Sequence, residues 1–177
     1  MQKPPRFLID TNVFVQAKNQ YYAFDSFPGF WDCLIWLHQK GRILSIEKVK
    51  SELQRMDDDL KIWIKDRLPE TFFAPIQQAE VIGHYATMQS WAQDLGQFTP
   101  QAINDFQDTE QADAWIVAYA KTNDCIVVTH EKYAQAAKKT IKIPNVCKEF
   151  NVDYVNTFEM LRELGVKFHW ISNESHN

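Results

Sequence analysis

Four acidic residues, Asp10, Glu52, Asp113 and Glu131, each flank an apolar segment of this chain. Asp10 closes Phe7-Leu8-Ile9 and is followed by Thr11-Asn12-Val13. Asp113 opens Asp-Ala-Trp-Ile-Val-Ala-Tyr-Ala, and Glu131 follows Ile126-Val127-Val128-Thr129-His130. A carboxylate just past a buried strand is costly to leave without a partner. Several converging carboxylates would offer hard oxygen ligands to a divalent cation.

Such a set suits metal-dependent phosphodiester hydrolysis, which needs oxygen ligands from several elements and room for water and phosphate. Carboxylates select Mg²⁺ or Mn²⁺, and no His/Cys cluster has zinc spacing. In this reading Asp10 is the central metal ligand, Asp113 and Glu131 complete the cage, and Glu52 reaches in from a facing helix. Thr11, Asn12 and Thr129 can hydrogen-bond the ligating carboxylates and fix their rotamers. The attacking group is water, so no Ser or Cys nucleophile is required. Taken singly, each acid has a plainer reading. Asp10 could cap a helix after its strand. Glu52 could be a solvated helix residue, Asp113 a partner of a helix dipole, and Glu131 part of a charged loop. Their order along the chain, each at a suitable element, is what favours the site.

The elements that would position these residues follow from periodicity. Arg6–Ile9 reads as a short buried strand, and Ile43–Ile46 as a second. Phe30–Gln39 reads as a helix stopped by Gly41. Glu47–Met56 reads as a helix whose apolar stripe Glu52 borders. Asp57-Asp58-Asp59 starts a further helix running to about Leu68. Thr71-Phe72-Phe73 is a short extended piece. Gln77–Leu95 reads as a helix with Gly96 as its stop. Asp108 and Gln111 have the spacing of a capping box for a largely buried helix, Thr109–Thr122. Cys125–Thr129 is apolar throughout, as in strands inside parallel sheets. Lys132–Lys139 reads as a basic helix, Asn145-Val146 as the lead into a short segment, and Val152–Val155 as the last strand. Asn156 or Thr157 caps a final helix ending at Gly165, and residues 168–177 are expected to be loose. Strands alternating with helices predict an α/β domain with a mostly parallel sheet, its site beyond the strands' carboxyl ends.

At 177 residues the chain fits one domain, 1–177, with its core over about 6–165. Its net charge of −4 gives no bulk attraction to a polyanion, so nucleic-acid binding needs local basic groups or bound metal. Lys48, Lys50, Lys132, Lys138, Lys139 and Lys142 could rim the acidic centre, with Lys132 and Lys48 as the substrate-binding candidates. His130 is read as a strand-end residue with a satisfied hydrogen bond. Asp105, Asp108 and Glu110 could supplement the acidic set, although capping and solvation explain them more economically. Three scattered cysteines point to a reducing compartment. No signal-peptide stretch or membrane span is evident, so a cytoplasmic location is expected. The aromatic cluster Tyr21–Trp31 would be a protein interface if exposed.

Phe-Leu-Ile-Asp-Thr-Asn-Val-Phe at 7–14 resembles the opening motif of the PIN-domain family. Ser51-Glu52-Leu53, Asp113–Ala118 and Val127–Glu131 resemble its second, third and fourth motifs, in order. The resemblance implies a three-layer α/β/α fold and a Mg²⁺- or Mn²⁺-dependent endoribonuclease acting on an RNA substrate. Small members are often toxins of bacterial toxin–antitoxin pairs, which implies a cognate antitoxin as partner and leaves a homodimer open. One departure stands out: the fourth motif usually carries Asp where Glu131 stands, one methylene longer. A non-catalytic PIN-like scaffold binding RNA or protein, and a structure-specific DNA nuclease, are the alternatives. A phosphatase of the haloacid dehalogenase type would need an acid where Asn12 stands.

Overall fold

A computed structural model describes residues 4–169 of the chain. The first strand, β1 (Arg6–Ile9), buries Phe7, Leu8 and Ile9 in succession. Side chains alternate across a strand, so an unbroken buried run means that both faces of the sheet are covered. β2 (Ile43–Ile46) is buried at all four positions, and β4 (Cys125–Val128) at three of four. Both pair parallel to β1, with Phe7 opposite Ile43 and Ile126. Two-residue strands, β3 (Phe73–Ala74) and β5 (Tyr154–Val155), close the edges, giving the all-parallel order β3-β2-β1-β4-β5. Short edge strands leave little open backbone for unwanted pairing.

The helices follow in chain order. α1 (Thr11–Gln16) runs into a π-helical turn, Ala17–Tyr21, and α2 (Pro28–Gln39) leads to β2. α3 (Glu47–Gln54) and α4 (Asp59–Arg67) connect β2 to a 3-10 turn and β3. α5 (Ala79–Asp94), α6 (Pro100–Gln107) and α7 (Asp113–Asn123) return across the sheet to β4. α8 (Ile143–Glu149) precedes β5, and α9 (Thr157–Glu163) follows it. Right-handed crossovers put α1–α4 on one face and α5–α8 on the other, the three-layer α/β/α arrangement expected from the PIN resemblance. α2 and α3 pack against β2, while α7 packs against β4, α5 and α8. From β1 the chain proceeds outward to β2 and β3, then returns to build β4 and β5 on the other side. The switch point therefore lies between the carboxyl ends of β1 and β4.

Several expectations need correction. The buried helix begins at Asp113, not Thr109, and the Asp108–Gln111 capping box does not form. Thr99 caps α6 instead, with Pro100 in its first turn, and Asp108 terminates that helix. Lys132–Lys139 is not helical. Its backbone is held from outside: Gln97 donates to Gln135 and Ala137 carbonyls, and Asn145 both donates to and accepts from Ala134. The last strand is shorter than Val152–Val155, and Asn145-Val146 lies inside α8. Asn156 forms the capping box of α9 with Glu159. The aromatic cluster after α1 turns mostly inward. Phe30 and Trp31 are buried, Tyr22 stacks on Phe30 at 4.0 Å, and Phe24 stacks on Trp31 at 4.2 Å. Phe27 and Tyr21 alone remain exposed among the aromatics of that segment. The expectation for 168–177 falls mainly outside the described residues; Phe168 itself lies 6.2 Å from the Tyr22 ring.

Candidate acidic site

Asp10 is the first residue past β1, and its backbone N–H still donates to the Val128 carbonyl at 3.1 Å. It is the N-cap of α1, its Oδ1 accepting from the Thr11 N–H at 2.7 Å. Capping and a site role are thus not exclusive, because the second oxygen is free for other work. Asp10 Oδ2 accepts from the Thr129 hydroxyl at 3.0 Å, across the switch point. The same hydroxyl oxygen accepts from Asn12 Nδ2 at 2.9 Å and from the Glu131 N–H at 3.2 Å. Asn12 Oδ1 in turn accepts from the His130 N–H at 3.0 Å. The Thr11 and Thr129 hydroxyls thus each donate to a carboxylate, of Glu52 and Asp10 respectively, whereas the Asn12 carboxamide bonds Thr129 and the His130 backbone and no carboxylate. Only 2 % of Asp10 is exposed, so its carboxylate is fixed in a nearly dry setting.

Asp113 stands in the first turn of α7. Burial, then repulsion from Glu131 and Glu52, push its carboxyl up to about 7, with Lys142 pulling the other way. Asp10 is raised well above the usual carboxylate range by burial first and by Asp113 next, with Glu131 adding to it and Thr129 opposing. The four acids therefore share one electrostatic neighbourhood, although they come from β1, α3, α7 and the segment after β4. Like charges held together away from water favour either a shared proton or a bound cation.

Glu52 and Glu131, like Asp10, are engaged in hydrogen bonds. Glu52 Oε2 accepts from the Thr11 hydroxyl, and Oε1 accepts from the Ala112 N–H at 2.8 Å. Its carboxylate links α1, α3 and the start of α7, which positions Asp113. Glu131 Oε2 accepts from the Ile143 N–H at 2.8 Å, an otherwise orphaned donor at the start of α8. The extra methylene of Glu over Asp supplies that reach. No group of three or more His, Cys, Asp or Glu side chains is set to hold a metal ion among the described residues. The donor chemistry of Asp10 and Asp113 nonetheless suits a hard divalent cation, and one oxygen of Glu131, Oε2, is already taken by Ile143.

The basic residues divide. Lys48 is ion-paired to Glu110 at 3.1 Å, which Arg55 also reaches at 2.7 Å. Lys50 is paired with Glu70. Lys132 is exposed and makes no ion pair among the described residues. Lys142, one residue before α8, is the cation whose field reaches Asp113. Sequence reading favoured Lys132 and Lys48 over it, because its proximity to Asp113 arises only from packing. Asp108 accepts from the Glu110 N–H at 2.9 Å, and Asp105 accepts from Gln101 at 2.7 Å, so neither supplements the acidic set. His130 Nε2 is hydrogen-bonded to the Thr157 hydroxyl at 2.9 Å, the satisfied state expected of it.

Residues 7–168 match a family described as a domain of unknown function, DUF4411. The chain belongs to that family. No curated protein matches this DUF4411 chain. Among solved structures, FitAcB from Neisseria gonorrhoeae is similar at 18 % identity with a TM-score of 0.51, over 86 % of this chain and 98 % of that one. VapBC2 from Rickettsia felis, bound to a DNA fragment from their promoter, is similar at 16 % identity with a TM-score of 0.52, over 85 % and 97 %. FitAB bound to an IR36 DNA fragment gives 16 % identity and a TM-score of 0.51, over 93 % and 99 %. At these identities the likeness is one of fold. No described helix of this DUF4411 chain is long and apolar enough to cross a membrane.

Proposed function

We propose that this DUF4411 chain is a cytoplasmic, divalent-metal-dependent endoribonuclease and the toxin of a toxin–antitoxin pair. The observation that carries the reading is the convergence of Asp10, buried, and Asp113, half-buried, at the switch point of a parallel sheet, mutually repelling and bordered by Glu131. Perturbed carboxylates converging in a cleft are a mark of function more often than of stability. The four motif resemblances and the likeness to FitAcB, FitAB and VapBC2 support the same reading, and the DNA in two of those structures supports a DNA-binding antitoxin partner.

In this mechanism Asp10, Asp113 and Glu131 would hold Mg²⁺ or Mn²⁺. Bound there, the ion would polarise the phosphate and make water a better nucleophile at neutral pH. The chain does the rest. The Thr129 hydroxyl and Thr11 N–H fix the Asp10 carboxylate. Glu52 anchors the start of α7, and so the position of Asp113. Lys132 and Lys142 draw the RNA backbone toward an otherwise repulsive centre. Lys48 can join them only by leaving Glu110.

The test is cleavage of total cellular RNA by purified chain in Mn²⁺, beside Asp10→Asn. Discrete fragments from the wild type alone support the proposal, and intact RNA in both lanes overturns it. The second reading, a non-catalytic PIN-like scaffold, is favoured by one observation: Glu52 and Glu131 are both engaged elsewhere. It predicts no cleavage and no tight Mn²⁺ binding.

A further inference from the structure

Beside the acidic centre lies a cleft of ≈ 560 Å³, bounded by the π-helical turn, the segment after β4, β5 and the start of α9. Thr129 and Glu131 are among its lining residues, so it borders the site. Its other walls carry aromatic rings. Tyr21 packs at 5.5 Å from the His130 ring, tilted by 33°, and edge-on to Phe158 at 5.2 Å. Phe158 also meets His130, at 5.9 Å. The three rings brace one another, while Tyr21, Tyr133 and Tyr154 each keep more than a third of their surface exposed around the cleft.

Two further groups face the same space unclaimed. The Gln16 carboxamide makes no hydrogen bond among the described residues, and Lys132 makes no ion pair among them. Gln16 can donate and accept side by side, the pattern that reads the edge of a base. Lys132 can neutralise a phosphate, and the exposed ring faces can stack on any base. Aromatic faces, a free carboxamide and a free ammonium together match a nucleotide. A peptide anchor would be served better by apolar walls without interspersed polar groups.

We propose that this cleft is a base subsite, which stacks an unpaired nucleobase on Tyr21 next to the phosphate held at the acidic centre, with Gln16 at the base edge and Lys132 on the neighbouring phosphate. The proposal rests on the nuclease reading for its place in catalysis, but its binding test does not. Single-stranded substrate is preferred over duplex, because a paired base cannot enter.

The experiment is fluorescence anisotropy of labelled single-stranded RNA oligonucleotides in EDTA, with Asp10→Asn so that nothing is cut and one carboxylate fewer repels the probe. Asn also caps helices, so this background keeps the fold. Probes are an intact oligonucleotide, the same one with a single abasic position stepped along it, and its duplex. Tyr21→Ala weakens the intact probe by about ten-fold or more, Tyr21→Phe restores it, and Gln16→Ala gives a smaller loss. One abasic position weakens binding by a similar factor, and that loss vanishes in Tyr21→Ala. Indifference to every abasic position, or equal binding by Tyr21→Ala and Tyr21→Phe, overturns the subsite, as does displacement by peptide with no base dependence. Active wild type with base-indifferent binding removes the subsite alone. Base-dependent binding with inactive wild type keeps the subsite and removes the nuclease.

Discussion

The Thr129 hydroxyl donates to Asp10 Oδ2 at 3.0 Å and accepts from both Asn12 and the Glu131 backbone, so one small side chain ties the ends of β1 and β4 together. Thr129→Val keeps the shape but removes the partner of Asp10 Oδ2, of Asn12 Nδ2 and of the Glu131 N–H. We expect a loss of about 1–3 kcal/mol of stability, the cost of stranding buried polar groups, and Thr129→Ser should recover most of it. Denaturant melts of the three proteins provide the check.

Metal-free stability should fall with rising pH. The Asp113 carboxyl has an ordinary value when unfolded and one pushed up to about 7 when folded. The folded protein therefore binds this proton more tightly, and Asp10 acts in the same direction. The Asp113 contribution is fully present below about pH 4, the unfolded value, and is lost as pH rises through about pH 7. Thermal melts in EDTA at stepped pH measure it. Asp113→Asn should flatten the dependence and raise the melting temperature at alkaline pH; an unchanged slope would refute the burial of this charge.

Divalent metal should invert that trend. Mg²⁺ or Mn²⁺ relieves the repulsion between Asp10 and Asp113 only when both are ionised, so binding expels protons and tightens as pH rises. Calorimetry in two buffers of different ionisation enthalpy reads the protons released. Asp10→Asn should lose this binding along with cleavage.

Glu131 separates two tasks. Glu131→Gln keeps an oxygen for the Ile143 N–H but loses the charge, so folding should hold while metal affinity drops at least about ten-fold. Glu131→Asp should do the reverse: the shorter acid releases Ile143 at a cost of about 1 kcal/mol, as for a lost helix cap, and leaves the metal side intact. Parallel melts and Mn²⁺ titrations distinguish the two.

Glu52 is the positioning residue of the set. Glu52→Ala strands the Ala112 N–H and should cost about 1–3 kcal/mol. Glu52→Gln retains an acceptor for Ala112, so its activity should fall far less than that of Asp10→Asn. Equal loss in both would place Glu52 on the metal instead.

How legible all this was in the sequence depended on range. β1, β2 and β4 announce themselves as short apolar runs, and Asp10 and Glu131 as the residues after two of them. α1 was less visible, because Thr11-Asn12-Val13 reads equally well as a turn. The start of α7 was misplaced because Asp108 and Gln111 carry a genuine local capping signal that α6 overrides. The 132–139 segment has helical composition, but Gln97 and Asn145 claim its backbone from afar. The engagement of Glu131 with Ile143, and the approach of Lys142 to Asp113, are tertiary facts with no local signature.

The strand order has a consequence for synthesis. β1 is the central strand and is made first, yet its β4 neighbour lies well over a hundred residues later. While the chain is growing on the ribosome, Asp10 sits at an unfilled sheet edge, without Thr129 to orient it or Asp113 beside it. The acidic centre assembles only after β4 and the segment that follows it have emerged. On the proposed nuclease reading, the chain could not cut RNA until that assembly is complete.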